Sequence, residues 1–292
     1  MVTARRFSLP GLELHALVEG DPKAPPLVLL HGFPESSEAF RALLPDLAAA
    51  GFFVVAPDLR GYGKSERPST GYDLDTLAQD VAHMIRALGG GACLLGQDWG
   101  GVIAYHVAAR HPAEVRRLLC VNAPHPVVMA RRMFSYRQVW RSWYAAVFQL
   151  PWLPEWVLSL KGGWVVSRLI RAMVEGPIEG DLAALDRFAE DFAQPGAAHA
   201  AVAYYREVMG WFFGPGRSKR LSEYPTISAP FRLVWGERDQ ALSLLLTERL
   251  EPYFSGGFDL QRLEGVGHFV WLERPKRLVE HALAHFLATG LR

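Results

Sequence analysis

The sequence has few of the features that mark membrane, disulfide-bonded or nucleic-acid-binding proteins. Only two of its 292 residues are cysteine, and 31 basic residues balance 30 acidic ones. No apolar run is long enough to span a membrane, and the N-terminal stretch MVTARRFSLPGLELHALVEG lacks the apolar core of a signal peptide. No block of like charge favours a nucleic-acid partner. We therefore expect neither a membrane nor a nucleic acid as a partner.

The two cysteines, Cys93 and Cys120, each lie in an apolar segment typical of a strand. This setting predicts buried reduced thiols and a cytoplasmic protein, and a disulfide between the two is the alternative. No interface pattern stands out in the sequence, so a monomer and a homodimer are both left open.

What the chain does have is a regular alternation of short apolar runs and longer helical patterns. The apolar runs are nearly continuous, as in parallel strands that are covered on both faces. The predicted strands are Pro26–Gly32, Phe52–Asp58, Ala92–Asp98, Arg117–Pro124, Phe231–Asp239 and Phe258–His268. The predicted helices between them include Ser37–Ala50, Asp75–Leu88 and Gly101–Arg110. This alternation predicts an α/β fold with a mostly parallel, doubly wound sheet.

The alternation stops after Pro126 and resumes at Pro230. The intervening segment is helical and aromatic, and it holds six of the nine tryptophans. We expect residues 127–224 to form a helical cap domain, inserted into a core domain of residues 1–126 and 225–292. Such a cap would lie over the carboxyl ends of the strands, where ligands bind in folds of this kind.

A single acidic residue, Asp98, stands at the predicted turn from strand to helix in GQDWGG. The flanking glycines relieve the crowding of so tight a turn, which exposes the tip side chain at a helix N-terminus. Free N–H groups and the helix dipole favour an anion there, so we expect an ionised nucleophile. The alternative is that Asp98 merely caps the helix.

Two further residues stand at the carboxyl ends of predicted strands, and their order along the chain is informative. Asp239 ends FRLVWGERD, and His268 ends FDLQRLEGVGH. Nucleophile, acid and histidine in this order resemble the catalytic triads of α/β hydrolases, and all three would meet at one edge of the sheet. Glu237 is a weaker candidate for the acid, and Asn122, after the preceding strand, cannot carry the charge.

The segment HGFPES follows the first predicted strand and is a candidate oxyanion loop. In such sites one N–H donor comes from this loop and the other from the residue after the nucleophile, which assigns Phe33 and Trp99. A plain turn is the alternative, and a cis bond between Phe33 and Pro34 would fit either interpretation.

Five motifs in order, HGFPE, DLRGYGKSERP, GQDWGG, WGERD and GVGHF, resemble the soluble epoxide hydrolases of the α/β-hydrolase superfamily. The resemblance covers nearly the whole chain and implies a cap inserted after the sixth strand. It also implies two cap tyrosines that hold the epoxide oxygen. The segments SWYAAVFQLPW and AYYREVM point to Tyr144 and Tyr205, with Tyr136 and Tyr204 as the nearest rivals.

The resemblance implies that Asp98 opens a small apolar epoxide to an ester and that a water molecule activated by His268 hydrolyses it to a vicinal diol. An aspartate suits this reaction because a carboxylate attacks a saturated carbon without first losing a proton. The expected pocket includes His31, Pro34, Glu35 and Trp143. Many relatives have a histidine where this chain has Gln97, next to the nucleophile.

Other functions compete with this interpretation. Haloalkane and haloacid dehalogenases also use an aspartate at this turn, although Phe33 and Trp99 replace residues that help such enzymes to bind halide or carboxylate. A non-catalytic ligand-binding protein on the same fold is the alternative of another class. We expect no cofactor and no metal ion, since GYGKS lacks the first glycine of a phosphate loop and His281 and His285 lack a third ligand.

Overall fold

A sheet of eight strands forms the centre of the computed structural model, which describes residues 1–288. The strands are β1 Thr3–Leu9, β2 Leu12–Glu19, β3 Pro26–Leu30, β4 Phe53–Pro57, β5 Ala92–Gln97, β6 Val115–Val121, β7 Phe231–Gly236 and β8 Phe258–Leu263. Their order across the sheet is β1-β2-β4-β3-β5-β6-β7-β8. The six strands β3 to β8 pair in parallel with one another. The strands β1 and β2 are antiparallel additions at one edge. The predicted mostly parallel sheet is confirmed.

The antiparallel hairpin of β1 and β2 was not predicted. Most side chains of β1 are exposed, so this edge strand lacks the apolar run by which β3 to β8 were recognised. The strand β2 is mostly buried, but Glu13 and His15 interrupt its apolar run. The turn between the two strands contains Pro10 and Gly11, and Gly11 has a φ of 73° that suits glycine. The predicted strand Phe258–His268 is shorter in the structure, and its last residues form the loop that carries His268.

The helices of the core flank the sheet. They are α1 Leu44–Ala49, α2 Leu74–Ala87, α3 Trp99–Arg110, α12 Val270–Glu273 and α13 Pro275–Phe286. The predicted helix Ser37–Ala50 is divided into a 3₁₀ turn, Ser37–Phe40, and α1. The physical reason is Pro45, which lies in the first turn of α1 and could not continue a longer helix because it has no N–H group to donate.

Eight helices occupy the chain between β6 and β7, so the insertion follows the sixth strand. They are α4 Pro126–Arg132, α5 Tyr136–Val139, α6 Trp143–Val147, α7 Leu153–Ser159, α8 Trp164–Ala172, α9 Ala184–Phe192, α10 Ala197–Phe213 and α11 Arg217–Ser222. The longest, α10, is tied to the core by the Tyr204 hydroxyl, which donates a hydrogen bond to the Arg60 carbonyl oxygen at 2.7 Å. The boundaries of the cap at 127 and 224 stay a prediction.

The core lies between the sheet and its covering helices. Every residue of β3, β4 and β5 is buried, as expected for central strands covered on both faces. Cys93 and Cys120 lie in β5 and β6 as buried free thiols. Among residues 1–288, no helix is both long enough and apolar enough to cross a bilayer.

Candidate active site

Asp98 lies at the sharp turn between β5 and α3. Its backbone has a φ of 48°, a left-handed conformation that is strained for any residue with a side chain. The turn is possible because its neighbours are glycines: a Cβ atom at Gly96 would collide with the backbone of Gly100, and one at Gly100 with the Leu30 carbonyl oxygen. The turn therefore holds the carboxylate above the ends of the strands.

Two backbone N–H groups face the Asp98 carboxylate. The Phe33 N–H donates a hydrogen bond to Asp98 Oδ2 at 2.9 Å, and the Trp99 N–H also stabilises the charged form. Burial raises the pKa of Asp98, while His268 and these two amides oppose the rise. The two predicted oxyanion donors, Phe33 and Trp99, thus lie together at the same carboxyl group.

The loop that carries Phe33 follows β3 and includes a cis peptide bond between Phe33 and Pro34. Glu35, which is 1% exposed, supports this loop from inside. Its carboxylate accepts hydrogen bonds from the Gly32 N–H at 2.9 Å and from the Trp271 indole N–H at 2.7 Å. Burial raises the pKa of Glu35 to about 7, although these hydrogen bonds lower it.

His31 and Glu35 do not line the cavity at Asp98, contrary to their expected place in the pocket. His31 is fully buried, and both its ring nitrogens lie within hydrogen-bonding distance of backbone groups, Gly32 O at 2.9 Å and Leu59 N at 3.0 Å. The physical reason is the direction of the loop, which turns His31 into the core and presents Phe33 and Pro34 to the cavity.

His268 lies between two carboxylates. Its Nδ1 is 2.7 Å from Asp239 Oδ2, and its Nε2 is 3.8 Å from Asp98 Oδ1. Burial lowers the pKa of His268, but the negative charges of Asp239 and Asp98 outweigh this effect and raise it to about 9. The imidazole is therefore protonated at neutral pH while Asp98 is charged. The three predicted triad residues are brought together.

Asn122 is a supporting residue that the sequence analysis did not assign to the site. Its side-chain amide donates to Asp239 Oδ2 and accepts a hydrogen bond from the Gly236 N–H at 2.9 Å. The other oxygen of Asp239 accepts from the Ala241 and Leu242 N–H groups at 2.7 and 2.8 Å. These contacts orient Asp239, and not Glu237, toward His268. The position of Asn122 after β6 was the available signal.

A cavity of about 420 Å³ lies between the cap and the ends of the strands. Asp98 and His268 face it from the core, with Phe33, Pro34 and Phe269, and apolar side chains of α6, α7 and α8 close it from the cap. Trp143 also lines this cavity although it is 64% exposed. The cavity suits an apolar molecule with one reactive polar group.

Tyr144 and Tyr205 face Asp98 from the cap. Both line the large cavity and also a smaller one of about 70 Å³, so they lie between the two together with Asp98. Their rings are 5.8 Å apart and nearly perpendicular. Burial raises the pKa of both phenols, and the charge of Asp98 adds to the rise. Both hydroxyls therefore stay protonated and able to donate.

The two rival tyrosines have other environments. Tyr136 is 80% exposed, and Tyr204 is buried with its hydroxyl bound to the Arg60 carbonyl oxygen. Gln97, on the other side of Asp98, is fully buried and its amide donates to the His268 carbonyl oxygen at 3.2 Å. Of the four candidate tyrosines, the geometry thus favours Tyr144 and Tyr205.

Comparison with known proteins agrees with this architecture. A family model described as the alpha/beta hydrolase fold matches residues 25–275. The Bacillus subtilis AB hydrolase superfamily protein YfhM is 33% identical over 91% of this chain and 91% of its own length. Epoxide hydrolase 3 of Xenopus tropicalis is 32% identical over 92% of this chain and 73% of its own length.

A solved structure leads to the same conclusion. The crystal structure of epoxide hydrolase A from Mycobacterium thermoresistibile superposes with a TM-score of 0.85 at 25% identity, and the match covers 100% of both chains. The resemblance that the five motifs predicted is therefore confirmed. With its eight-stranded sheet, its aspartate turn and a family match over most of its length, the chain belongs to the alpha/beta hydrolase fold family.

Proposed function

We propose that this protein hydrolyses epoxides to vicinal diols, with Asp98 as the nucleophile. The observation that carries the proposal is the arrangement of Asp98 opposite Tyr144 and Tyr205 across one apolar cavity. A carboxylate on one side and two phenolic donors on the other suit a three-membered ring, whose carbon is attacked while its oxygen takes up charge.

In the first step, an oxygen of Asp98 forms a bond to one epoxide carbon, and the ring C–O bond breaks. The electrons of that bond pass to the ring oxygen. Hydrogen bonds from Tyr144 and Tyr205 stabilise the developing alkoxide, which then takes a proton from one of these hydroxyls. The product of this step is a hydroxyalkyl ester of Asp98.

In the second step, His268 removes a proton from water, and the resulting hydroxide attacks the acyl carbon of the Asp98 ester. Asp239 orients the imidazole through its hydrogen bond to Nδ1. The N–H groups of Phe33 and Trp99 stabilise the tetrahedral oxyanion. Collapse of this intermediate breaks the bond between the acyl carbon and the alkoxy oxygen, which takes the proton of the added hydroxyl group. The diol leaves, and the Asp98 carboxylate and the protonated His268 are restored.

The charge of the site explains the order of the two steps. In the resting enzyme the Asp98 carboxylate helps to keep His268 protonated, which prevents it from acting as a base. Ester formation removes that negative charge, so the pKa of His268 falls. The imidazolium then gives its proton to the tyrosinate formed in the first step, and His268 becomes a base only when an ester is present. Alkylation thus prepares the site for hydrolysis.

We propose an apolar epoxide as the substrate, with Pro34 and Trp143 among its contacts. The dehalogenase alternative accounts less well for Tyr144 and Tyr205, because a departing halide does not need the proton that an alkoxide requires. The non-catalytic alternative accounts less well for Asp239. Two backbone N–H groups hold one oxygen of its carboxylate, and the other oxygen orients the imidazole of His268.

A single turnover in water labelled with heavy oxygen tests the ester route. With enzyme in excess over styrene oxide, the label is expected in the carboxyl group of Asp98, because water attacks the acyl carbon rather than the epoxide carbon. Mass spectrometry of the Asp98 peptide measures it. Label found in the diol and absent from the peptide would show direct attack by water and refute the scheme.

The His268→Ala variant tests the second step separately. The ester is expected to accumulate, which raises the mass of the protein by that of one epoxide and blocks turnover. A chlorinated alkane in a parallel reaction distinguishes the dehalogenase alternative, since halide release from wild type without diol formation from any epoxide would favour it. Ligand binding without either reaction would favour a non-catalytic protein.

A further inference from the structure

Residues 127–174, the first half of the cap, carry a large positive charge, unlike the rest of the molecule. Seven basic residues and one acidic residue occur between 127 and 174, whereas the whole chain has a net charge of +1. The single acidic residue, Glu155, is already paired with Arg206 at 2.6 Å. This segment is therefore strongly positive at its surface.

The same segment exposes an unusual number of tryptophans. Five of the nine tryptophans in the chain lie here, and each is more than half exposed, although tryptophan is normally well buried. We call this set the cap aromatic surface: Trp140 at 71%, Trp143 at 64%, Trp152 at 71%, Trp156 at 58% and Trp164 at 51% exposure. Trp143, Trp156 and Trp164 lie on α6, α7 and α8, three helices that line one cavity. Large apolar side chains exposed together in one region of a surface mark interaction sites.

Helix α8 shows how aromatic and basic groups are combined. Trp164, Arg168 and Arg171 follow one another at helical spacing and are all exposed. The Lys161 ammonium and the Arg168 guanidinium each lie 5.5 Å from the centre of the Trp164 ring. One face of α8 is thus a row of an aromatic ring and cations.

The cap aromatic surface borders the large cavity. On α7, Trp156 is exposed while its neighbour Val157 lines the cavity, and on α8 Trp164 is exposed while Val165 lines it. Successive helix residues are about 100° apart, so the exposed and lining faces are adjacent. Trp143 belongs to both. The lining of the cavity thus reaches the protein surface at Trp143, where we place its entrance, and a molecule bound to the cap aromatic surface would lie beside this point.

We propose that the cap aromatic surface binds peripherally to a lipid bilayer that contains anionic phospholipid. Tryptophan rings settle at the boundary between head groups and acyl chains, and neighbouring lysines and arginines bind the anionic head groups. None of Arg137, Lys161, Arg168 and Arg171 forms an ion pair with another residue in the range 1–288, so all four cations are available. Such binding needs no membrane-spanning helix.

A second copy of the chain fits this surface less well. A twofold dimer places the same patch of both copies face to face. The cations that surround the tryptophans would then meet their own equivalents, and like charges across an interface are repulsive. An anionic bilayer satisfies both the aromatic and the basic groups of the surface.

One consequence rests on the proposed function. An apolar epoxide partitions into the bilayer, and a cavity entrance held at the bilayer surface would receive it from there without transfer through water. The binding itself does not depend on this, so failure of hydrolysis and failure of binding can be measured separately.

Sedimentation with vesicles tests the binding. The wild-type protein is expected to sediment with vesicles of phosphatidylcholine and phosphatidylglycerol and much less with phosphatidylcholine alone, with loss of binding at high salt. Each of Lys161→Gln and Arg168→Gln should weaken binding roughly fivefold, the value for one cation near an anionic surface. Trp156→Ser and Trp164→Ser should each weaken binding to vesicles and reduce the blue shift of tryptophan emission on binding, to which the remaining exposed tryptophans still contribute.

The matched control is Lys276→Gln, an exposed cation on α13 that forms no ion pair within residues 1–288. Arg277→Gln, whose guanidinium is paired with Glu280 at 3.5 Å, is a second control on the same helix, and α13 packs against the sheet and not within the cap. Both control cations differ from the cap cations in position. Both control variants should bind vesicles as the wild type does, and all variants should hydrolyse a water-soluble epoxide at the wild-type rate. Equal losses in cap and control variants would overturn the proposal, as would no binding by wild type. A dimer that Trp156→Ser abolishes, with no vesicle binding, would assign the surface to a second copy instead.

Discussion

The charge coupling between Asp98 and His268 can be measured directly by replacing Asp98 with asparagine. The substitution keeps the shape of the side chain and removes its charge, as ester formation does. In the wild type the two groups lie 3.8 Å apart, between Asp98 Oδ1 and His268 Nε2. At that separation two unit charges attract by about 4 kcal/mol at an effective dielectric constant of about 20.

This energy sets the size of the expected change. One pKa unit corresponds to about 1.4 kcal/mol, so loss of the Asp98 charge should lower the pKa of His268 by roughly two to three units. The pKa of His268 starts at about 9 in the wild type. In Asp98→Asn the imidazole is therefore expected to be largely neutral at slightly alkaline pH, where the wild-type imidazole is still protonated.

Nuclear magnetic resonance of protein labelled at the histidine rings measures this titration. His285, on α13, is the internal control, because burial lowers its pKa to about 4 through contacts that do not involve Asp98. Its titration should be the same in both proteins. If His268 titrated at the same pH with and without the Asp98 charge, the proposal that alkylation releases the base would be refuted.

Two further substitutions separate catalysis from support of the site. Tyr205→Phe removes one donor from the epoxide oxygen and is expected to slow ring opening roughly 100-fold in single-turnover measurements. Tyr204→Phe is its matched control, since this hydroxyl binds the Arg60 carbonyl oxygen and its loss should cost about 1 kcal/mol of stability with no change in rate. Asn122→Ala should lower the free energy of unfolding in urea by about 1–3 kcal/mol, and should slow ester hydrolysis more than ester formation. Equal effects of Tyr205→Phe and Tyr204→Phe on the rate, or of Asn122→Ala on both steps, would contradict these roles.

The linear sequence was sufficient for features whose cause is local. The buried strands could be predicted because central parallel strands need apolar residues on both faces, and the turn at Asp98 because its neighbours must be glycines. The hairpin of β1 and β2 was missed for the same reason, since β1 is mostly exposed and the apolar residues of β2 are interrupted by Glu13 and His15.

The sequence by itself thus determined the class of fold and the order of nucleophile, acid and histidine, because each strand and each of these three residues is recognised from a short local motif. Only the tertiary structure decided which neighbouring side chains enter the site. Tyr204 and Tyr205 are adjacent, yet a turn of about 100° on α10 sends one to the core and the other to the cavity. His31 and Glu35 face the interior, and Asn122 reaches Asp239 from a separate strand. Such placements depend on packing between segments that are distant in the chain, so they cannot be predicted from the local sequence.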